Sequence, residues 1–184
     1  ALLLFLSKEA GHKVEGEQDE IVVNGVKGHR DAKIDGVTVD VKSASSYSFK
    51  KFESGDILMD DPFGYVAQLS AYDEEGGAFL VIDKQNGHIC LSKVDSDSTI
   101  NVPRRIQDIR RMLDKDVPPA RCYSDEVEGK SGNRKLNVNC SYCPFKFGCW
   151  SDSNGGKGLR TFAYSTGVKF MTNIEKEPRV QENE

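Results

Sequence analysis

Asp31, Asp40 and Lys42 carry the first chemical signal, in the stretch Gly28-His29-Arg30-Asp31-Ala32-Lys33-Ile34-Asp35-Gly36-Val37-Thr38-Val39-Asp40-Val41-Lys42. Side chains alternate faces along a strand, so Thr38, Asp40 and Lys42 share one side of a ribbon whose other side is Val37, Val39 and Val41. Charge in such a ribbon is costly unless it is paired or bound to a metal. Two carboxylates from neighbouring strands suit Mg2+ or Mn2+, hard cations that take oxygen ligands from one or two carboxylates, waters and substrate phosphate. Asp31 and Asp40 would hold the ion, with the Val41 carbonyl as a third oxygen. Such an ion polarises a scissile phosphate and lowers the pKa of bound water. Lys42 is placed to orient that water or to stabilise charge developing on phosphorus.

A second group is made of thiols. Of five cysteines, Cys140, Cys143 and Cys149 fall within ten residues, which suits a metal centre better than a disulfide framework. The surrounding segment, Cys122 to Trp150, is rich in Gly, Asn, Ser and Lys and has little apolar periodicity, so a bound metal is a natural way to order it. Cys90 lies in an apolar run and reads as a core thiol.

These residues need elements to hold them. Residues 1–10 read as the last turns of a buried helix ended by Gly11, followed by an acidic loop over Glu15 to Glu20. Strands are predicted at Ile21 to Asn24, Val26 to Ile34 and Val37 to Ala44, joined by turns at Asn24-Gly25 and Asp35-Gly36, strong hairpin dipeptides. Asp31 then sits on one strand, Asp40 and Lys42 on the next. Ser45 to Asp61 lacks a clear period and reads as a surface loop with a short helix. Pro62 opens a helix to about Asp73, with Phe63, Val66, Ala67, Ser70 and Ala71 packed and Tyr65, Gln68 and Tyr72 on another face. A hairpin follows over Ala78 to Asp83 and His88 to Val94. A helix from Pro103 to Leu113 turns Ile106, Ile109, Met112 and Leu113 inward and presents Arg104, Arg105, Arg110 and Arg111, either as a phosphate-contacting surface or as a solvated face. Val117-Pro118-Pro119 ends it. Two strands, Leu159 to Ser165 and Val168 to Ile174, precede a charged tail predicted to fray from Glu175.

Asp31, eight intervening residues and Asp40-Val41-Lys42 resemble the PD-(D/E)xK nuclease motif. Gly64-Tyr65-Val66-Ala67-Gln68-Leu69-Ser70-Ala71-Tyr72 is similar to the G-Y-x-x-Q-x-x-x-Y helix of the RecB-like branch of that superfamily. Cys140-x2-Cys143-x5-Cys149 is similar to the C-terminal cluster of iron–sulfur nucleases in the same branch, including AddB-type and CRISPR-adaptation nucleases. The resemblance implies a restriction-endonuclease-like α/β fold, a mixed central sheet flanked by helices, with a Cys-rich metal-binding segment towards the C-terminus. It implies Asp31, Asp40, Lys42, Gln68 and Tyr72 as catalytic residues, and DNA contacts from Tyr65, Gln68 and Tyr72, with Arg104 and Arg105 added from the basic helix.

In those relatives the fourth cluster cysteine precedes the catalytic strands; this chain has no cysteine before Cys90, so Cys122 is the best fourth ligand. Four thiolates satisfy a 4Fe–4S cluster or, alternatively, a structural Zn2+. Relatives also place a His or Glu ligand on a helix ahead of the first Asp. Glu15, Glu17 and Glu20 are the candidate substitutes here, with Glu17 preferred.

The division expected is a nuclease core over 1–121, a Cys-rich segment over 122–150 packed on it, and C-terminal strands and tail over 151–184 completing the same domain. The function expected is a divalent-metal-dependent DNA exonuclease of replication, recombination or repair. Its substrate would be single- or double-stranded DNA with a free end, and its setting the cytoplasm of a bacterium or of a phage host. The chain carries no helicase motif, so translocation would need a helicase or recombination protein. Two other readings stay open: a non-catalytic, metal-stabilised nucleic-acid-binding module, and a site-specific endonuclease of the same superfamily.

Composition sets outer bounds. Apolar residues at 38% and charged residues at 29% are an ordinary globular balance. The net charge of −4 confines any DNA contact to local basic clusters. The apolar opening Ala1 to Leu6 is far shorter than the roughly 20 residues that span a bilayer.

Overall fold

The computed structural model describes residues 2–115 and 119–183 and divides the chain into two compact units, Ala1–Leu113 and Asp114–Glu184. Val117 and Pro118 of the expected helix stop lie outside the described residues. The expected boundaries at 121/122 and 150/151 differ from this division. Strands of the Cys-rich segment pair with the C-terminal strands, and that pairing places both stretches in one unit.

The first unit runs α1 (Leu2–Glu9), β1 (Val14–Glu15), β2 (Asp19–Val23), β3 (Val26–Arg30), β4 (Ala32–Ile34), β5 (Val37–Ala44), α2 (Ser46–Ser54), α3 (Tyr65–Tyr72), β6 (Gly76–Asp83), β7 (Ile89–Asp95) and α4 (Val102–Leu113). A five-stranded mixed sheet is ordered β1-β4-β5-β6-β7, with β5 and β6 parallel and the other pairs antiparallel. The parallel pair needs a long crossover, supplied by α2, a 3-10 turn at Asp56–Leu58, and α3. Strands β2 and β3 form a separate hairpin.

Several sequence expectations change here. The strand expected over Val26 to Ile34 is two strands, because the chain leaves the β2–β3 ribbon at Arg30 and enters the main sheet at Ala32; Asp31 is the joint. Part of the acidic loop is strand, since Asp19 and Glu20 pair with Arg30 and His29. Ser45 to Asp61 holds the expected short helix, but the stretch reaches into the core and is not wholly a surface loop. Ser45 caps α2 by accepting from Ser48 N–H, Gly55 closes the helix at φ 80°, and Phe49, Phe52 and Ile57 are buried. Its polar residues hide the pattern, because three apolar anchors suffice to seat so short a crossover.

Helix α3 begins at Tyr65, not Pro62: Asp61 Oδ2 accepts from Val66 N–H at 2.8 Å, and Phe63 is exposed. Leu69 and Val66 are the residues of α3 that enter the core, with Ala44, Phe49, Phe52, Ile57, Phe79, Val81 and Val94. Cys90 packs against this cluster half-buried. On α4, Ile109, Met112 and Leu113 are exposed and Val102 is the buried residue, so the amphipathic pattern there does not mark a buried face.

The second unit contains β8 (Glu126–Val127), β9 (Arg134–Lys135), α5 (Val138–Ser141), α6 (Lys146–Cys149), β10 (Arg160–Tyr164), β11 (Gly167–Asn173) and β12 (Glu182–Asn183), with sheet order β12-β10-β11-β9-β8. The tail expected to fray from Glu175 is partly paired over its described residues. Its β12 pairs with β10, and Arg160 holds Glu177 and Glu182. No described helix is long and apolar enough to cross a membrane.

Candidate active site

Strand alternation puts Thr38, Asp40 and Lys42 on the helix-covered face of β5, in register with Phe79 and Val81 of β6 at Asp40 and Lys42. Leu69 and Val66 seat α3 over this face, which brings the helix side chains down onto the two charges. Asp40 is 2% exposed. Lys42 Nζ stands 2.6 Å from Asp40 Oδ2 and donates to Gln68 Oε1 at 3.1 Å, 4.7 Å from the centre of the Tyr65 ring. Gln68 Nε2 in turn donates to Tyr72 Oη at 3.0 Å, an i,i+4 contact that needs one helical turn. Thr38 Oγ1 donates to Asp73 at 2.7 Å and fixes the end of α3 against β5.

Asp31 closes the set from the joint between β3 and β4. Its Oδ2 accepts from Val41 N–H at 2.7 Å and its Oδ1 from Gln18 Nε2 at 3.1 Å. Val41 thus meets Asp31 through its amide.

Burial pushes the Asp40 carboxyl above the usual range. The Lys42 ammonium opposes that, and the Asp31 charge adds to it. Asp40 Oδ2 is a buried oxygen that lacks a hydrogen bond of acceptable direction, although Lys42 is within ion-pair distance. Proximity is the sounder description of this contact, because the ammonium is close without satisfying the oxygen's directional demand. An orphaned buried oxygen and a second carboxylate near enough to repel it are the donor set a hard divalent cation takes. Among the described residues no group of three or more His, Cys, Asp or Glu is placed to hold an ion. Asp31 and Asp40 offer two carboxylates, so a cation held here would take most of its ligands from outside the chain.

Other expected residues stand apart. Glu17 is an exposed partner of Lys8. Arg104 pairs with Asp108 at 3.9 Å on the surface of α4. Arg105 joins Gln68, Tyr72, Gly28 and Ile21 in lining a groove of about 240 Å3 beside the network. Gly28 permits this wall: a Cβ there would lie 2.9 Å from Tyr72 Cε1. A larger concavity of about 650 Å3 opens elsewhere, lined by Val37, Val39, Ala78 and Leu91, and contains neither Asp40 nor Lys42. Sequence reasoning missed Gln18, whose type is inconspicuous in a turn, and Gly28, although an isolated glycine within a strand signals close approach by a neighbour.

In the second unit, one-turn helices bring the thiols round. Cys143 N–H donates to Cys140 O at 3.1 Å and Cys149 N–H to Phe145 O at 2.9 Å. Arg121, next to Cys122 in the chain, stacks on Trp150 at 3.9 Å and donates Nε to Cys149 O at 3.1 Å. Burial raises the Cys140 thiol, and the charges of Cys149, Cys143 and Cys122 raise it further, so all four sit in one electrostatic neighbourhood. They are free thiols, and among the described residues no three of them are grouped to hold an ion.

Comparisons with protein-family models, with curated proteins and with solved structures found no match to this chain.

Proposed function

We propose that this chain is a divalent-metal-dependent DNA nuclease with a restriction-endonuclease-like core, acting from a DNA end in replication, recombination or repair. One observation carries the reading: five residues singled out by type and spacing, Asp31, Asp40, Lys42, Gln68 and Tyr72, stand in one connected patch of the first unit. Asp31 and Asp40 would hold Mg2+ or Mn2+, with the Val41 carbonyl as a further oxygen. When bound, the cation supplies charge neutralisation on the phosphate and a water of lowered pKa. Lys42, fixed between Asp40 and Gln68, directs its ammonium at the attacked phosphate. Gln68 and Tyr72 set the Lys42 direction and meet the DNA strand, and Tyr65 offers a ring face beside them. Arg104 and Arg105 add phosphate contacts.

Cys122, Cys140, Cys143 and Cys149 would hold a 4Fe–4S cluster or, alternatively, Zn2+. Either would order a segment with little apolar packing. The setting proposed is the cytoplasm of a bacterium or of a phage host, with a helicase or recombination protein supplying DNA ends.

The test is a time course on 5′- and 3′-labelled linear DNA beside closed circular DNA, with Mg2+ or Mn2+. Loss of linear DNA alone supports an exonuclease, and nicking of the circle supports an endonuclease of the same chemistry. Binding without cleavage of either form sinks the nuclease reading and leaves a nucleic-acid-binding module.

A further inference from the structure

Gln18 lies in the turn between β1 and β2 and has a left-handed backbone, φ 59°. That conformation is uncommon for a residue with a side chain and costs free energy that the surroundings must offset. Two contacts do so, both to one residue. Gln18 N–H donates to the Asp31 carbonyl at 3.2 Å, and Gln18 Nε2 donates to Asp31 Oδ1 at 3.1 Å. The other carboxylate oxygen, Oδ2, is taken by Val41 N–H at 2.7 Å. The Asp31 carboxylate is therefore gripped at both oxygens, by β5 on one side and by the Gln18 turn on the other.

The grip matters because Asp31 belongs to neither flanking strand. It is the joint where the chain passes from the β2–β3 hairpin to the main sheet, so no ladder of its own orients it. A carboxylate on such a joint would otherwise sample several rotamers, and a cation site built on it would lose affinity to that freedom.

We infer that Gln18 is the positioning residue of the cation site, setting the Asp31 carboxylate for a divalent ion shared with Asp40. This rests on the nuclease reading. Gln18 acts through Asp31: its carboxamide donates to Asp31 Oδ1, leaves that oxygen a second lone pair for the ion, and limits rotation of the carboxylate. Its role differs from that of the expected ligand Glu17, which points to Lys8.

Glycine occupies the left-handed region without strain, so Gln18→Gly removes the carboxamide while preserving the turn. Gln18→Asn also tolerates that backbone but is one methylene short of Asp31. The full-length protein, both variants and Asp31→Asn are compared by Mn2+ titration calorimetry without DNA, by thermal melting, and by Mn2+ dependence of cleavage. The expected result is an unchanged melt for Gln18→Gly. Its Mn2+ dissociation constant should rise roughly 10–100-fold, as for other residues that orient metal ligands. The half-saturating Mn2+ for cleavage should shift by a like factor, with the rate recovered at high Mn2+, and Gln18→Asn should follow Gln18→Gly. Wild-type Mn2+ affinity in either variant, while Asp31→Asn loses it, overturns the inference and leaves the nuclease reading standing. A wild-type protein that neither binds Mn2+ nor cleaves DNA overturns both.

Discussion

The two units are held by different forces. In the first, Phe52, Phe79, Leu69, Val66 and Val81 pack beneath the α2–α3 layer, with Phe52 and Phe79 edge-to-face at 5.4 Å. That packing excludes water from Asp40, and the desolvation raises its pKa. In the second unit Leu136, Trp150, Phe162 and Met171 are buried, and polar contacts surround them. Asn133, 3% exposed, accepts from Glu175 and Lys176 N–H at 2.9 Å each and donates to Lys176 O at 2.8 Å. Asp125 bridges Arg134 at 2.6 Å and Thr172 at 2.7 Å, while Glu128 joins Lys135 and Lys169.

Small units short of apolar burial need such staples, or a metal. Apolar packing in the first unit carries a charge where it is least comfortable, which is what chemistry needs. In the second unit charges are used where they are most comfortable, which is what structure needs.

Four measurements would break or sharpen that contrast. The largest effect should come from the site. Lys42→Ala and Asp40→Asn each should lower the cleavage rate by roughly a thousandfold, measured on end-labelled DNA with circular dichroism as the fold control. Asp40→Asn should also melt no lower than wild type, because it removes a buried charge; a clear fall in melting temperature would contradict the account of Asp40 given by its burial.

Next is the packing itself. Phe79→Ala should cost about 3–5 kcal/mol, read as lost amide-exchange protection in β5, β6 and α3, with β10 and β11 keeping theirs. Equal loss in both units would show that they unfold together.

A smaller effect is expected for Asp125→Asn in the second unit, about 1–2 kcal/mol given the partial exposure of the pair, with reduced protection in β9 and β11. If protection there were untouched, the polar staple would be decorative.

The last measurement is a pH titration, and the signs oppose one another. Arg134 and Thr172 hold Asp125 below the usual carboxylate range, and Arg160 does the same to Glu182. For Glu128 burial pushes upward, but Lys169 and Lys135 prevail and the net shift is downward. Their stabilisation is present above the unfolded carboxylate pKa and is lost as pH falls through the lowered folded values. Asp40 is raised, so its ionised form weakens the fold, and stability from this group is lost as pH rises through its folded value. On acidification, Asp40 should take up its proton first. In the protein without a divalent cation both units should remain folded through that protonation, and β9–β11 should lose protection only at lower pH. Simultaneous loss would refute the opposed shifts.

Much of the site is legible in the amino-acid sequence because it depends on short-range geometry. Alternation on β5 puts Asp40 and Lys42 on one face, and helical spacing puts Gln68 and Tyr72 one turn apart. The turns at Asn24-Gly25 and Asp35-Gly36 have the positive φ those dipeptides favour, 46° and 76°, 50° and 85°. The sequence alone thus determined residue types, faces and turns, all of which are decided within a few bonds.

The tertiary structure decided what depends on distant partners. Breaking a strand at Asp31 requires its two halves to pair in different sheets, a division the local pattern does not show. The short helix expected in Ser45 to Asp61 became part of the core because β5 and β6 pair in parallel and need a covered crossover. Helix α4 kept its amphipathic pattern yet left Ile109, Met112 and Leu113 exposed, since periodicity states which side is apolar and not what lies against it. Gln18 carries no sequence signal because its value lies in the place where Asp31 arrives, and that is set by long-range packing, not by neighbouring residues.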